Sequence, residues 1–108
     1  SMSFMRPSLA LLAVLGLLSR SESYGYELTQ GLLQAGFEGL GDATIYGTMR
    51  RLEQAAYVTS RLEESGSGPA RKYYSLTADG RRVLAEGRNR WRSLVASMND
   101  LLEEPTRG

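Results

Sequence analysis

Cysteine and histidine are both missing from this 108-residue sequence. Without cysteine the chain has no disulfides and no thiolate ligands, and without histidine it lacks the commonest general base of enzymes. A metal site would need carboxylates alone, and no paired carboxylates fall on a predicted buried stripe. We therefore expect no cofactor, no metal and no catalysis; a ligand carrier or an enzyme using a groove between subunits is the least favoured alternative.

An excess of charge of one sign is missing as well. The 13 basic and 12 acidic residues leave a net charge of +1, and Lys72 is the only lysine. Any electrostatic attraction for nucleic acid must therefore be local. The hydrophobic content of 42% and charged content of 23% are typical of a globular protein. The length predicts one domain with a modest core, enlarged by association.

The longest apolar run, residues 9–18 (LALLAVLGLL), is too short for a bilayer, which takes about 20 residues to cross. It resembles a signal-peptide core with Arg6 upstream, but residues 19–23 place a charge directly after it and offer no small-residue cleavage site. We interpret it as a first helix over residues 8–19, buried nearly all round, in a cytoplasmic protein without a membrane segment. Such a helix in a short chain indicates a dimer interface.

Residues 41–57 (GDATIYGTMRRLEQAAY) are the most informative stretch of the chain. Asp42 stands where an N-cap is expected. Apolar residues then recur at helical steps and predict one buried face: Ile45, Met49, Leu52 and Ala56. The other side carries hydroxyls and arginines and no acidic residue, and such groups can hydrogen-bond to the base edges and phosphates of DNA. The candidate DNA contacts are Thr44, Tyr46, Thr48, Arg50 and Arg51. The alternatives are an ordinary amphipathic surface helix, packing for Tyr46, and an ion pair of Arg51 with Glu53 or Glu27.

A helix over residues 24–35 is predicted before this stretch, with Ser23 as its N-cap and Glu27 in its first turn. Three glycines within residues 36–41 then break the chain. Helix, short glycine-rich turn and helix in succession predict a helix-turn-helix.

A β-hairpin is predicted directly after the third helix, over strands 57–63 and 71–76 with the small-residue loop 64–69 between them. A hairpin in this place is a wing, and its candidate DNA contacts are Ser67, Gly68, Arg71 and Lys72. Because side chains alternate along a strand, one of the two basic residues need not face DNA, and one of the two tyrosines that follow should enter the core.

Thr77 is predicted to cap a last helix that continues to about Leu102 before Pro105 ends it. Its apolar residues recur at alternating steps of three and four, close to a heptad seam: Leu84, Gly87, Trp91, Leu94, Met98 and Leu101. So long a face predicts packing against a second subunit. There Trp91 is expected to approach its symmetry mate and fill the dimer core, with Leu94, Met98, Leu11 and Leu15 as neighbours.

The expected fold class is mainly α with a small β-hairpin, a winged helix-turn-helix plus a long C-terminal dimerisation helix. The expected organisation is a disordered N-terminus with a tag-derived scar (1–7), a DNA-binding domain (8–76), a dimerisation helix (77–104) and a tail (105–108).

With these segments placed, the chain resembles short PadR-like transcriptional regulators over nearly its whole length. The resemblance is carried by Gly25-Tyr26-Glu27-Leu28, Ile45-Tyr46, Arg51-Leu52-Glu53, Gly68-Pro69, Arg71-Lys72-Tyr73-Tyr74, Leu76-Thr77 and Gly80. The chain departs from the family at Gly47, where proline is usual, and near Ala56, where glycine is usual.

The resemblance implies a homodimer held by its first and last helices that binds palindromic operators, usually as a repressor. Short members of the family often release DNA on binding small aromatic or drug-like compounds, and in them a Trp at about the place of Trp91 stacks on planar ligands. As the alternative to a packed dimer core, the resemblance therefore implies a ligand groove whose candidate residues are Trp91, Leu94, Met98, Leu11 and Leu15. The alternative is a winged-helix module that binds proteins and has lost DNA binding, an interpretation favoured by the near-neutral charge and by Gly47.

Overall fold

A computed structural model describes residues 5–106 of the chain. The elements in order are α1 (Met5–Leu18), β1 (Ser23–Tyr24), α2 (Gly25–Gln34), α3 (Asp42–Gln54), β2 (Val58–Ser65), β3 (Gly68–Leu76) and α4 (Ala78–Leu102). The strands form one antiparallel sheet in the order β1-β3-β2. The predicted fold, helix-turn-helix, hairpin and long last helix, is confirmed. The two-residue strand β1 adds an edge that sequence reasoning missed, because two residues carry no alternating pattern.

The ends of the chain differ in part from the prediction. Residues 5–7, predicted to be disordered, belong to α1, while residues 1–4 of that segment lie outside the described residues. Of the predicted tail, residues 105–106 have no regular structure and residues 107–108 lie outside the described part.

The caps of α2 and α3 each lie one residue away from the predicted position. Tyr24, not Ser23, is the N-cap of α2, and its backbone N–H donates to Glu27 Oε1 at 3.2 Å. Gly41, not Asp42, is the N-cap of α3. The carboxylate of Asp42 lies in the first turn instead, where its charge still complements the positive end of the helix dipole.

The core lies where α1, α2 and α3 meet the inner face of the sheet. The largest fully buried side chains come from these three helices: Val14, Leu15, Leu28, Leu32, Ile45, Thr48, Met49 and Leu52. Helix α1 runs through the middle of this core, and every residue over 9–18 is buried or half-buried. This agrees with the prediction of a helix covered on nearly all sides. No helix of residues 5–106 has the length and apolar character needed to cross a membrane.

The first turn of α4 is tied to the connection between α3 and β2. Thr77 donates its backbone N–H to the carbonyl of Tyr57 at 3.1 Å and its hydroxyl to the carbonyl of Ala56 at 2.7 Å. The Thr77 hydroxyl also accepts the N–H of Gly80 at 3.0 Å, which confirms the predicted cap. Leu84 is the last buried residue of α4, although the helix still approaches α1 at Gly87. The molecule measures 67 × 27 × 24 Å.

Helix α3 ends in a Schellman motif whose left-handed position is an alanine. The N–H groups of Tyr57 and Ala56 donate to the carbonyls of Leu52 and Glu53 at 2.9 and 3.0 Å. Ala56 has a φ of 60°, the one positive φ of a non-glycine residue within residues 5–106. Gly36 occupies the same position after α2, with a φ of 101°. The prediction that Ala56 lies on the buried helical face is therefore wrong, because the helix has already ended.

Replacing Ala56 by glycine is expected to raise the free energy of unfolding by about 1 kcal/mol, since a Cβ is disfavoured at positive φ. Urea unfolding followed by circular dichroism measures the change. The matched control is Ala55→Gly, because Ala55 has an ordinary right-handed conformation and gains nothing from glycine there. An Ala56→Gly variant no more stable than the Ala55→Gly variant would contradict the expectation.

Candidate nucleic-acid interface

The outward face of α3 is basic and free of acidic partners. Thr44, Tyr46, Arg50 and Arg51 are exposed on it. In the described part of the chain, no carboxylate oxygen lies within 4 Å of the guanidinium of Arg50 or Arg51. The alternative ion pairs of Arg51 with glutamates therefore do not form, and both guanidiniums keep their donors for a partner.

Thr48 does not belong to this face. Its side chain is 0% exposed, and its hydroxyl donates to the carbonyl of Thr44 at 2.8 Å. The prediction of Thr48 as a DNA contact is therefore wrong. The helical spacing already contained the signal, because Thr48 lies three residues after Ile45 and four before Leu52, on the buried stripe.

Tyr46 combines packing with exposure. A Cβ added to Gly25, at the start of α2, would lie 3.0 Å from Tyr46 Cε1 and 3.3 Å from its hydroxyl. The ring therefore rests on the glycine backbone, yet the residue remains 55% exposed. Gly25 thus permits the close approach of α2 and α3 that holds the Tyr46 ring beside the basic face.

The wing is longer than predicted and its turn is shorter. Strands β2 and β3 extend through residues 64–65 and 68–70, and Ser65 pairs with Gly68, so the turn is reduced to two residues. Ser67 and Gly68 lie exposed at its tip. Along β3, Tyr74 is buried in the core, as expected for one of the two tyrosines.

Arg71 and Lys72 point to opposite faces of the sheet, as the alternation of a strand requires. Arg71 lies on the outer face, where its guanidinium stacks 4.7 Å from the centre of the Tyr24 ring. On the same face Arg61 stacks on Tyr73 and pairs with Glu22 and Glu63. The outer face is therefore a layer of arginines on tyrosines.

Lys72 lies on the inner face and contacts α3. Its Nζ lies 3.1 Å from Glu53 Oε1, while Glu53 Oε2 accepts the hydroxyl of Ser60 at 2.8 Å. The hydrogen bond from Ser60, and to a lesser extent that from Lys72, lowers the pKa of Glu53. In return, the hydrogen bond to the Glu53 carboxylate raises the pKa of Lys72. Sequence reasoning did not assign Glu53 to the site; its place in Arg51-Leu52-Glu53 was the available signal.

Trp91 lines an open groove of about 670 Å³ between α1, α2 and α4 and is 44% exposed. The other lining residues include Leu9, Leu12, Leu17, Arg20, Phe37 and Arg88. None of the other four predicted groove residues lines it. Leu15 is fully buried, so its prediction is wrong, and Leu11 is half-buried against the core. Leu94 is half-buried and Met98 is exposed, both further along α4.

Comparison with known proteins places this arrangement in a family. The model of the transcriptional regulator PadR-like family matches residues 14–86. An uncharacterised protein of Lysinibacillus sphaericus is 30% identical over 94 residues, 84% of each chain. The transcriptional regulator YqjI of Escherichia coli is 35% identical over 79 residues, 71% of this chain but 36% of YqjI.

Solved structures give the same result. A PadR-like transcriptional regulator of Bacillus cereus superposes with a TM-score of 0.80 at 32% identity, covering 88% of this chain and 92% of that one. A PadR family transcriptional regulator of Eggerthella lenta gives a TM-score of 0.78 at 36% identity, covering 96% and 89%. This chain belongs to the PadR-like family of transcriptional regulators.

Proposed function

We propose that the protein is a sequence-specific DNA-binding regulator that acts as a homodimeric repressor in the cytoplasm. The observation that carries the proposal is the exposed face of α3, where Arg50 and Arg51 have no carboxylate within 4 Å in the described part of the chain. The guanidinium of an arginine can donate two parallel hydrogen bonds to a guanine edge or to a phosphate, and the hydroxyls of Thr44 and Tyr46 can hydrogen-bond to either group. The exposed wing tip at Ser67 and Gly68 is small enough to lie beside a phosphate or in a minor groove.

The apolar face of α4 supports the homodimer. Met98, Leu101 and Leu102 are 43, 77 and 72% exposed, and a single domain rarely leaves so long an apolar stripe in water. A second subunit would cover the stripe and bring two α3 helices to one DNA. With two-fold symmetry, the two helices would enter successive major grooves at half-sites about 34 Å apart, which requires a palindromic operator.

The groove at Trp91 supports regulation by a small aromatic ligand. Its apolar lining and exposed indole provide flat surfaces on which a planar compound can stack. The groove lies beside α4, which is also the proposed dimer element. A bound ligand would change how the subunits pack, and with it the spacing of the two α3 helices, so that both half-sites cannot be occupied together.

Fluorescence anisotropy of labelled DNA from the region upstream of the protein's own gene tests the proposal. We expect binding to weaken roughly a hundredfold or more between 50 and 200 mM salt, because phosphate contacts release counterions. An unlabelled fragment of unrelated sequence should compete poorly. Two results would overturn the proposal and favour a protein-interaction module. One is an affinity for DNA that does not change with salt concentration, and the other is the absence of binding both to this DNA and to pooled genomic fragments.

A further inference from the structure

Glu53 is the side chain that connects α3 to both strands of the wing. One carboxylate oxygen accepts from Ser60 on β2 at 2.8 Å, and the other accepts from Lys72 on β3 at 3.1 Å. Glu53 lies in the last turn of α3, where the helix dipole disfavours a carboxylate. The two donors from the wing offset that disadvantage.

The ammonium of Lys72 contacts two groups of its own domain. Its ammonium lies on the Glu53 carboxylate and 5.4 Å from the centre of the Tyr74 ring, and that ring belongs to the core. Arg50 and Arg51 on α3 differ, because no carboxylate of the described chain approaches within 4 Å of either. The only lysine of the sequence is thus paired with a carboxylate of its own chain.

The contact contributes little to stability. The side chains of Lys72 and Glu53 are 48 and 35% exposed, and partly exposed ion pairs are screened by water and salt. The pair does, however, hold the wing against α3. Two DNA-contacting elements that are held in place before binding lose less conformational freedom when DNA arrives.

We propose that Glu53 is a positioning residue that orients the wing relative to α3, and that Lys72 acts through this contact and not by holding a phosphate. The assignment rests on the proposed DNA binding. It predicts that Lys72 and Glu53 behave as one unit, so that losing either has the same effect as losing both.

The test compares Glu53→Gln, Lys72→Met and the double variant with wild type, on the upstream DNA and over a range of salt. We expect each of the three to bind about fivefold more weakly, the double no worse than either single. The slope of log affinity against log salt should stay unchanged, and so should the thermal midpoint. Glu86→Gln is the matched control, because it removes a carboxylate from the exposed Arg82–Glu86 pair on α4, away from the wing.

Three results would overturn the inference while leaving the proposed function intact. The first is a Lys72→Met variant whose slope of log affinity against log salt is smaller by about 0.9 for each lost phosphate contact, because Lys72 would then hold a phosphate itself. The second is tighter binding by Glu53→Gln, as expected if the carboxylate competes with DNA for Lys72. The third is wild-type affinity in all the variants. Absence of salt-dependent binding by the wild type would overturn the proposed function itself, and the inference with it.

Discussion

Replacing Gly80 by alanine is expected to lower the free energy of unfolding by about 3 kcal/mol or more, enough to unfold a large share of the protein. A Cβ at this position would lie 2.0 Å from the carbonyl oxygen of Tyr57 and 3.3 Å from Leu76 Cδ2. The carbonyl cannot move away cheaply, because it accepts the N–H of Thr77 at 3.1 Å. Relief of the clash would require α4 to separate from the connection between α3 and β2.

Two other glycines of the chain provide graded controls for this variant. A Cβ at Gly47 meets no atom within 4 Å, so Gly47→Ala should gain about 0.5–1 kcal/mol from the better helix former. A Cβ at Gly87 would lie 2.6 Å from Leu12 Cδ1, the end of a flexible side chain that can move. The free energy of unfolding of Gly87→Ala should therefore lie between those of Gly80→Ala and Gly47→Ala. Urea unfolding at one protein concentration measures all three, because association changes apparent stability. A Gly80→Ala variant as stable as wild type would contradict the close packing of Gly80 against the carbonyl of Tyr57.

Removing Arg50 and Arg51 together is expected to weaken binding to the upstream DNA about a hundredfold at moderate salt. Each bidentate arginine on a guanine provides roughly 1–3 kcal/mol of discrimination, and each phosphate contact adds about 0.9 to the salt slope. A homodimer loses both arginines from each α3. Anisotropy titrations of an Arg50→Ala, Arg51→Ala variant measure the loss and the change of slope.

The matched control is Arg81→Ala, Arg82→Ala, which removes an adjacent pair of exposed arginines from α4. The net charge changes equally, so a general electrostatic effect would weaken both variants alike. We expect the α4 variant to bind within about threefold of wild type, because Arg81 and Arg82 lie outside the proposed contacts on α3 and at the wing tip, and salt screens exposed charges. Equal losses in the two variants, or no loss in either, would contradict the role of the α3 face. Thermal unfolding of both variants separates lost binding from lost folding.

Much of this fold could be predicted from the sequence, because the relevant signals are local. The spacing of Ile45, Met49 and Leu52 predicts which face of α3 is buried. The hydroxyl of Thr77 caps α4 as expected. Strand alternation predicted that one of Tyr73 and Tyr74 is buried, and the structure shows that it is Tyr74. Each of these features depends on a period or a preference that a few neighbouring residues fulfil on their own.

The candidate site was predicted less well. Thr48 was misassigned because its hydroxyl counted as polar, although its spacing placed it on the buried stripe. Leu15 was assigned to a groove but belongs to the core, since the uninterrupted run of α1 contains no polar residue to mark its outer side. The DNA contacts of Arg50, Arg51 and the wing tip, like the ligand role of Trp91, remain predictions for the experiments above.

By itself, the sequence determined the order of helices and strands, the winged helix-turn-helix and the basic character of α3. The tertiary structure alone decided which groups from distant segments meet: the carboxylate of Glu53 with Lys72, 19 residues along the chain, and the backbone at Gly80 with the carbonyl of Tyr57. It also decided that Ala56 adopts a left-handed conformation. Periodicity specifies the face on which a residue lies, whereas its partner and its backbone strain depend on how the assembled elements approach one another.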